Sequence, residues 1–330
     1  MIIHTKAHAR AALLGNPSDG YYGKTIAFVV KNFAAEVTLY ESPDLEILDS
    51  DEDRSRFKSL DDLVHQVRLY GYYGGVRLIR AAIKKFAEHF AAQGIRLPDR
   101  NFTLRYRSNI PRLVGMGGSS AIVTAAVRAL MRFYDLELPK TLIPTLVLRA
   151  ETEELKIPAG LQDRVVQTYE GLVYMDFARE LLEKQGCGFY EPLPKELLPD
   201  CFVAYGADFA EGTEVTHSSL RVRFDRGEPA VVNAMKTLAG FAEEGREALV
   251  ARDAARLGKL MDANFDVRRG LVTLNPRQVE MVDAARRLGA SCHFAGSGGA
   301  VVGLYDSPRQ FERLRDAYRQ LACKIIKPKL

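Results

Sequence analysis

Pro111-Arg112-Leu113-Val114-Gly115-Met116-Gly117-Gly118-Ser119-Ser120 joins two segments of opposite periodicity. Before it, in residues 101–108, Phe102, Leu104 and Tyr106 alternate as in a strand. After it, in residues 121–133, Val123, Val127 and Leu130 form one helical stripe, with Arg128 and Arg132 on the wet side. The unit reads strand, glycine-rich loop, helix, with Ser119 or Ser120 as the expected N-cap. Glycines let backbone N–H groups converge on an anion, and a helix N-terminus adds free donors and the positive end of its dipole. That is chemistry for phosphate. The alternative is a tight connection with no ligand. The loop lacks the Gly-Lys-Ser/Thr of a Walker A motif, and Ser120 stands where a dinucleotide fingerprint needs its third glycine. Neither His-Arg-Asp nor Asp-Phe-Gly of the protein kinases occurs.

Working outward, residues 7–14 read as a strand that enters the tight loop Gly15-Asn16-Pro17-Ser18-Asp19-Gly20, and residues 25–40 read as a second strand. Charged turn material follows to residue 61, then a helix over 76–90 with Leu78, Ile79, Ile83 and Phe86 on one face. Past the glycine loop, helices are expected over 142–155 and 160–169 and a strand over 171–177. Pro192, Pro194 and Pro199 mark a domain boundary, giving units of 1–195 and 196–330. The second unit shows a strand at 202–205 and helices at 231–249, 253–265 and 276–288. Strands at 291–295 and 300–304 flank Gly296-Ser297-Gly298-Gly299, and a helix at 309–321 and a strand at 323–326 close the chain. This order predicts an α+β fold with an antiparallel sheet in the second unit. Alone, the second glycine loop is equally a plain hairpin. Beside a phosphate loop it becomes a candidate clamp.

Composition narrows the function classes. The chain has 330 residues, 47% hydrophobic and 27% charged, which is globular and suggests two domains. The net charge of +4 is dispersed without a basic run, which argues against nucleic acid and suits an anionic small molecule. The four cysteines are far apart and read as reduced and buried. No apolar run approaches the roughly 18–20 residues that cross a membrane, and residues 1–14 lack a signal-peptide core. The expectation is a cytoplasmic protein with no membrane or nucleic-acid partner. Oligomeric state is not legible.

Phosphoryl transfer needs a metal, a group that takes the acceptor proton, and a cation for developing charge. Glu151, Glu153 and Glu154 lie near a helix end, where a solvated face is the alternative. Asp163 has Arg164 beside it, so a surface pair is the alternative, though Leu161, Val165 and Val166 argue for half-burial. Asp19, Arg10 and Lys24 flank the first loop and read equally as turn or surface charges. His217 and Ser218 make no credible triad.

Residues 10–23, 111–121 and 294–301 stand in the order and spacing of the three motifs of the GHMP kinase superfamily (galactokinase, homoserine kinase, mevalonate kinase, phosphomevalonate kinase). Pro111-x-x-x-Gly115-x-x-x-Ser119-Ser120-Ala121 resembles its phosphate loop, with Met116 where Leu is usual. Leu13 to Lys24, Ala159 to Val165, Gly171 to Phe177, His217-Ser218 and Asn264-Phe265-Asp266-x-Arg268-Arg269 resemble the glucuronokinases within it.

The resemblance implies the two-domain GHMP kinase fold, with an N-terminal domain of left-handed β-α-β type and a C-terminal ferredoxin-like α+β domain. It implies ATP- and Mg2+-dependent phosphorylation of the anomeric hydroxyl of D-glucuronate, with ATP and a sugar acid as small-molecule partners. Alternatives are a kinase for galacturonate, arabinose or a heptose phosphate, or a non-catalytic nucleotide-binding member. Asp163 falls at the catalytic position, Ser120 and Glu151 at the metal ligands, and Arg10 where relatives carry a Lys that polarises the phosphate. Pro111, Gly115, Gly117, Gly118, Ser119, Ser120 and Ala121, with Gly296, Ser297, Gly298 and Gly299, fall at the nucleotide. Asn16, Ser18, Asp19 and Tyr22 fall where sugar hydroxyls are held, and Arg164, Arg268 and Arg269 are candidates for the sugar carboxylate. Tyr70, Tyr72 and Tyr73 are candidates to stack on adenine.

Overall fold

The computed structural model describes residues 1–48, 50, 53, 59–60, 74–206 and 220–330. Tyr70, Tyr72, Tyr73, His217 and Ser218 lie outside them.

A long hairpin founds the first sheet. Strand β1 (Ile2–Leu14) pairs antiparallel with β2 (Lys24–Glu41) from Ile2↔Tyr40 to Leu14↔Ile26, with bulges at His8/Ala9 and Ala12/Leu14. The first half of β1 alternates exposed and buried residues, and from Ala7 onward every residue is buried. The strand begins at Ile2 rather than at the expected residue 7, and the exposed positions of its first half include His4 and Lys6. They are the solvated face of a half-buried strand.

The other edge of β2 is shared. Strand β4 (Phe102–Ser108) takes its C-terminal end and β5 (Leu172–Asp176) its N-terminal end, both antiparallel. Strand β3 (Glu46–Leu48) adds beside β4, and β6 (Phe189–Leu193) adds beside β5 as the outer strand. Pro192 therefore sits inside an edge strand, where a missing N–H is tolerated. The proline-marked stretch was expected to be boundary only, and β6 was missed for that reason.

Helices α1 (Gly75–Ala92) and α2 (Gly118–Tyr134) pack on each other, and α2 lies on β1 and β2. The helix expected over 142–155 divides. Helix α3 (Ile143–Arg149) runs into a single π turn, Ala150–Glu154. Helix α4 (Gln162–Tyr169) and the short α5 (Arg179–Gln185) bracket β5.

The second sheet has the order β10-β7-β9-β8, all antiparallel: β7 (Cys201–Tyr205), β8 (Cys292–Phe294), β9 (Ala300–Leu304) and β10 (Lys324–Ile326). Helices α6 (Pro229–Val250), α7 (Ala254–Leu271), α8 (Pro276–Arg287) and α9 (Pro308–Gln320) accompany it. Helix α6 reaches back onto β2, and a Cβ at Gly245 would overlap Leu14. One continuous core joins Leu14 and Phe28 of the first sheet to Val203 and Val302 of the second and to Met261 of α7. Burial of this apolar surface, at about 25 cal/mol per Å², fixes the two halves against each other and so fixes the groups along their seam. All four cysteines are buried and unpaired, and no helix among the described residues is long and apolar enough to cross a membrane.

Candidate active site

Strand β1 runs between the two glycine loops and is bonded to both. Arg10 N donates to Met116 O at 3.1 Å, and Ala12 N donates to Ala295 O at 2.8 Å. The Arg10 side chain repeats the join. Its Nε and Nη2 donate to the two oxygens of Asp163 at 2.6 and 2.8 Å, while Nη1 donates to Gly115 O at 2.6 Å and Ala295 O at 2.8 Å. A guanidinium carries five N–H bonds; here only one Nη2 hydrogen remains uncommitted. The expected role was to polarise phosphate. The geometry makes Arg10 first a clamp on Asp163 and on both loops.

Asp163 lies in the first turn of α4 and faces the first glycine loop. A Cβ at Gly117 would stand 3.2 Å from Asp163 Oδ2 and 2.9 Å from Gln167 Nε2. The expected surface pair with Arg164 is replaced by the bidentate grip of Arg10, with Arg164 Nη1 further off at 3.8 Å.

The expected serine N-cap of α2 is also replaced. Gly117, in the left-handed region at φ 74°, is the cap, no side chain caps the helix, and Ser119 and Ser120 lie inside its first turn. A serine cap needs extended backbone at that residue, and the left-handed turn moves the cap two residues earlier. The first helical bond is Ala121 N to Gly117 O at 3.1 Å, so the N–H groups of Gly118, Ser119 and Ser120 are the helix's unsatisfied first-turn donors. Pro111 immediately precedes the turn at Arg112 and Leu113 that leads in, and Gly118 lies against Ile110.

The two glycine loops touch. A Cβ at Gly115 would stand 2.7 Å from Ser297 N, and one at Gly299 would stand 2.9 Å from Val114 Cα. Carbonyls of the second loop are covered from the other side. Arg268, buried on α7, donates to Gly296 O at 2.5 Å and Ser297 O at 2.7 Å, and Asn16 Nδ2 donates to Gly296 O at 3.0 Å. Arg268 forms no ion pair with any described residue. Burial, and then the neighbouring Arg10, lower its pKa to about 10, so it is charged at neutral pH.

The three glutamates separate sharply. Glu153 and Glu154 form surface pairs with Lys84 and Lys85, whereas Glu151 is fully buried in the π turn. Such turns recur at functional sites because they rotate one side chain out of helical register. Glu151 Oε1 accepts from Ser119 Oγ at 2.7 Å, and Oε2 accepts from Arg164 Nε at 2.9 Å and from Arg164 Nη2. Ser120, rather than Ser119, was the expected partner of Glu151 at a metal. Its hydroxyl instead donates to Gly117 O at 3.0 Å. Burial pulls the Arg164 pKa down, but Glu151 and Asp163 outweigh this and hold it above its ordinary value.

The loop between β1 and β2 meets α4 side chain to side chain. Gln162 Nε2 donates to Asn16 Oδ1 at 2.6 Å, and Gln162 N donates to Asp19 Oδ2 at 3.2 Å. A Cβ at Gly160 would overlap the Asp19 carboxyl, so glycine there permits the approach. Burial first, and Asp163 second, push the Asp19 carboxyl up to about 6. Ser18 is fully buried and donates to Lys24 O at 2.9 Å, so its hydroxyl closes the loop. Asn264 on α7 holds the loop from below, accepting from Gly15 N at 2.7 Å and donating to Asn16 O at 3.3 Å. Tyr22, at φ 63°, carries the Arg179 guanidinium 4.4 Å over its ring.

Gln162 and Gln167 were not singled out from sequence. Gln167 Nε2 donates to Gly117 O at 2.7 Å and so ties α4 to the first glycine loop. The available signal was two amides in an eight-residue helix whose Val165 and Val166 are core. Lys24, by contrast, faces Glu243 and Asp176 at the rim.

The chain matches the family model of the GHMP kinases N terminal domain over residues 77–171 and that of the GHMP kinases C terminal domain over residues 246–322. It is 43% identical over 325 residues to Glucuronokinase 1 of Arabidopsis thaliana, covering 96% of this chain and 89% of that one. Probable glucuronokinase 2 of the same plant is 42% identical over 327 residues, covering 97% and 89%. Among solved structures, phosphomevalonate kinase of Streptococcus pneumoniae in complex with phosphomevalonate and AMPPNP superposes with a TM-score of 0.76 at 15% identity, covering 99% of each chain.

Proposed function

The chain belongs to the GHMP kinases, and on that footing we propose that it transfers the γ-phosphoryl group of ATP to the anomeric hydroxyl of D-glucuronate, giving glucuronate 1-phosphate and ADP. One observation carries this reading. Gly117, at the head of α2, lies against the Asp163 carboxylate that Arg10 holds by both oxygens. A phosphate on the first-turn donors and a hydroxyl on Asp163 are then neighbours, which is the positioning that phosphoryl transfer requires.

The first-turn N–H groups of α2 bind phosphate oxygens, and the second glycine loop, braced by Arg268, backs the first. Asp163 accepts the hydrogen bond of the attacking hydroxyl and takes its proton. Asn16, Asp19 and Tyr22 border the sugar. The oxygen donors Glu151, Ser119 and Ser120 suit a hard divalent cation, which commonly keeps one or two protein ligands beside phosphate and water. Glu151 and Ser120 would hold Mg2+, since Ser120 donates its proton to Gly117 O and keeps its lone pairs. Bound there, the ion would neutralise phosphate charge. A cytoplasmic setting, and units divided at residue 195, belong to the same reading.

An ADP-release assay over glucuronate, galacturonate, glucose, arabinose and mevalonate tests it. Turnover that is highest with glucuronate and lost on removal of Mg2+ is the expected result. Preference for mevalonate, or no turnover with any sugar, would overturn the reading.

A further inference from the structure

Arg164, Arg268 and Arg269 were the sequence candidates for a sugar carboxylate, and all three are otherwise engaged. Arg164 is buried against Glu151, Arg268 holds two loop carbonyls, and Arg269 points to Asp283 at 3.9 Å from the outer side of α7. Another cation stands at the first loop. We propose that Arg179, laid on the ring of Tyr22, recognises the carboxylate of the acceptor and sets the preference for a sugar acid over the neutral sugar. The proposal rests on the sugar-acid reading above.

Topology brings the two residues together. Strand β5 pairs with β2 as far as Lys24↔Asp176, and beyond that pair Phe177 N donates to Gly23 O at 2.9 Å. The chain leaving β5 therefore runs alongside the loop entering β2. Asp176 Oδ1 accepts from Ala178 N at 2.9 Å and fixes the turn that opens α5 with Arg179. Across the turn, the Arg179 guanidinium lies 4.4 Å from the Tyr22 ring centroid.

Three features suit this pair to an anionic ligand. Arg179 is exposed, and among the described residues its guanidinium donors meet no hydrogen-bond or ion-pair partner. A guanidinium stacked on an aromatic face keeps its in-plane N–H groups available at the edge, in the fork geometry that matches a carboxylate. Its partner is also fixed. Arg221 reaches the Tyr22 side chain and donates to Gly20 O at 3.1 Å, so the platform is held before a ligand arrives. Tyr22 lies three residues from Asp19, which touches Gln162 beside Asp163. The loop thus spans from the acceptor-activating carboxylate to a free cation. A uronic acid carries its carboxylate on the far side of the ring oxygen from the anomeric carbon, so the two ends need two different protein groups.

The test compares R179Q and R179K with the wild type, using glucuronate and its neutral amide, glucuronamide. Titration calorimetry gives affinities, and ADP release gives kcat and KM. R179Q should weaken glucuronate about 10- to 100-fold, in KM rather than kcat, and leave glucuronamide and nucleotide affinity within about two-fold. R179K should recover part of the loss, because it restores charge without the flat stacked fork. Unchanged glucuronate affinity in R179Q would overturn the proposal, as would equal weakening of acid and amide. Failure of the wild type to bind or turn over glucuronate would overturn the sugar-acid reading first, and the two failures are thereby told apart.

Discussion

The two sides of Asp163 are built of different material. On the phosphate side the contacts are backbone. The first turn of α2 presents N–H groups, and the carbonyls of Gly115, Ala295, Gly296 and Ser297 are covered by Arg10 and Arg268. What that side leaves open are donors. On the other side the contacts are side chains, with Asn16, Asp19 and Gln162 joined by amide and carboxyl hydrogen bonds in a buried cluster. What that side offers are groups that both donate and accept. A phosphate only accepts, whereas a sugar hydroxyl does both, so this asymmetry suits the proposed placement of the two reactants.

Asp163 stands between the sides, and its loss should be the largest effect. Asp163→Asn keeps the shape and removes the acceptor charge. It should lower kcat by about 10²- to 10⁴-fold, the usual worth of a positioned base, while nucleotide affinity changes little. Steady-state ADP release and a nucleotide titration read the two quantities separately. A variant that keeps most of the wild-type rate would show that the junction of the two sides is not where chemistry occurs.

The side-chain face has its own signature in pH. Asp19 has a folded pKa near 6 against an ordinary value of 3.8, so the native state holds that proton more tightly than the unfolded chain. Its ionisation therefore opposes folding. The opposition is absent below pH 3.8, grows as pH rises through the window to 6, and is full above it. A displacement of about two units is worth at most ~3 kcal/mol. Asp19→Asn, which cannot ionise, should gain stability relative to the wild type by up to that amount between pH 4 and pH 7.5, as read by urea unfolding. A gap that stays flat across that range would mean the carboxyl is not desolvated, and the contrast between the faces would weaken.

The same contrast governs what the sequence could tell. The phosphate side was legible because backbone conformation writes itself into composition. Positive φ at Gly115 and Gly117 demands glycine, and glycines crowd there. The strand before the loop and the helix after it were legible from periodicity for a similar reason. The side-chain face was not legible without the family resemblance, because Gln162 meets Asn16 across 146 positions of chain and Asn264 meets Gly15 across 249. Nothing local marks such pairs. Glu151 shows the limit most plainly. Sequence pattern favoured a solvated helix face for all three neighbouring glutamates, and one π turn buries Glu151 while Glu153 and Glu154 stay at the surface. Hydrophobic spacing is computed for a regular helix, and it fails where the helix changes its pitch.

The smallest effects should come from comparing the two glycine loops within the phosphate side. Gly115→Ala puts a Cβ at φ 70°, facing Ser297 N at 2.7 Å and Gly298 O at 2.9 Å, both backbone atoms. The left-handed conformation alone costs roughly 1–2 kcal/mol, and a backbone obstacle cannot swing aside, so the loops must part. Gly298→Ala is also strained, at φ 144°, but its Cβ meets the Gln278 carboxamide, the far end of a flexible side chain. We expect G115A to reduce kcat/KM for ATP about 10- to 100-fold and G298A roughly ten-fold less: both carry the strain of positive φ, but the obstacle in G298A is a side chain, whose rearrangement costs about 0.5–1.5 kcal/mol. Equal losses in the two variants would mean that the second loop grips the nucleotide as directly as the first. A loss larger in G298A would make it the primary phosphate cradle and reverse the roles assigned to the two loops.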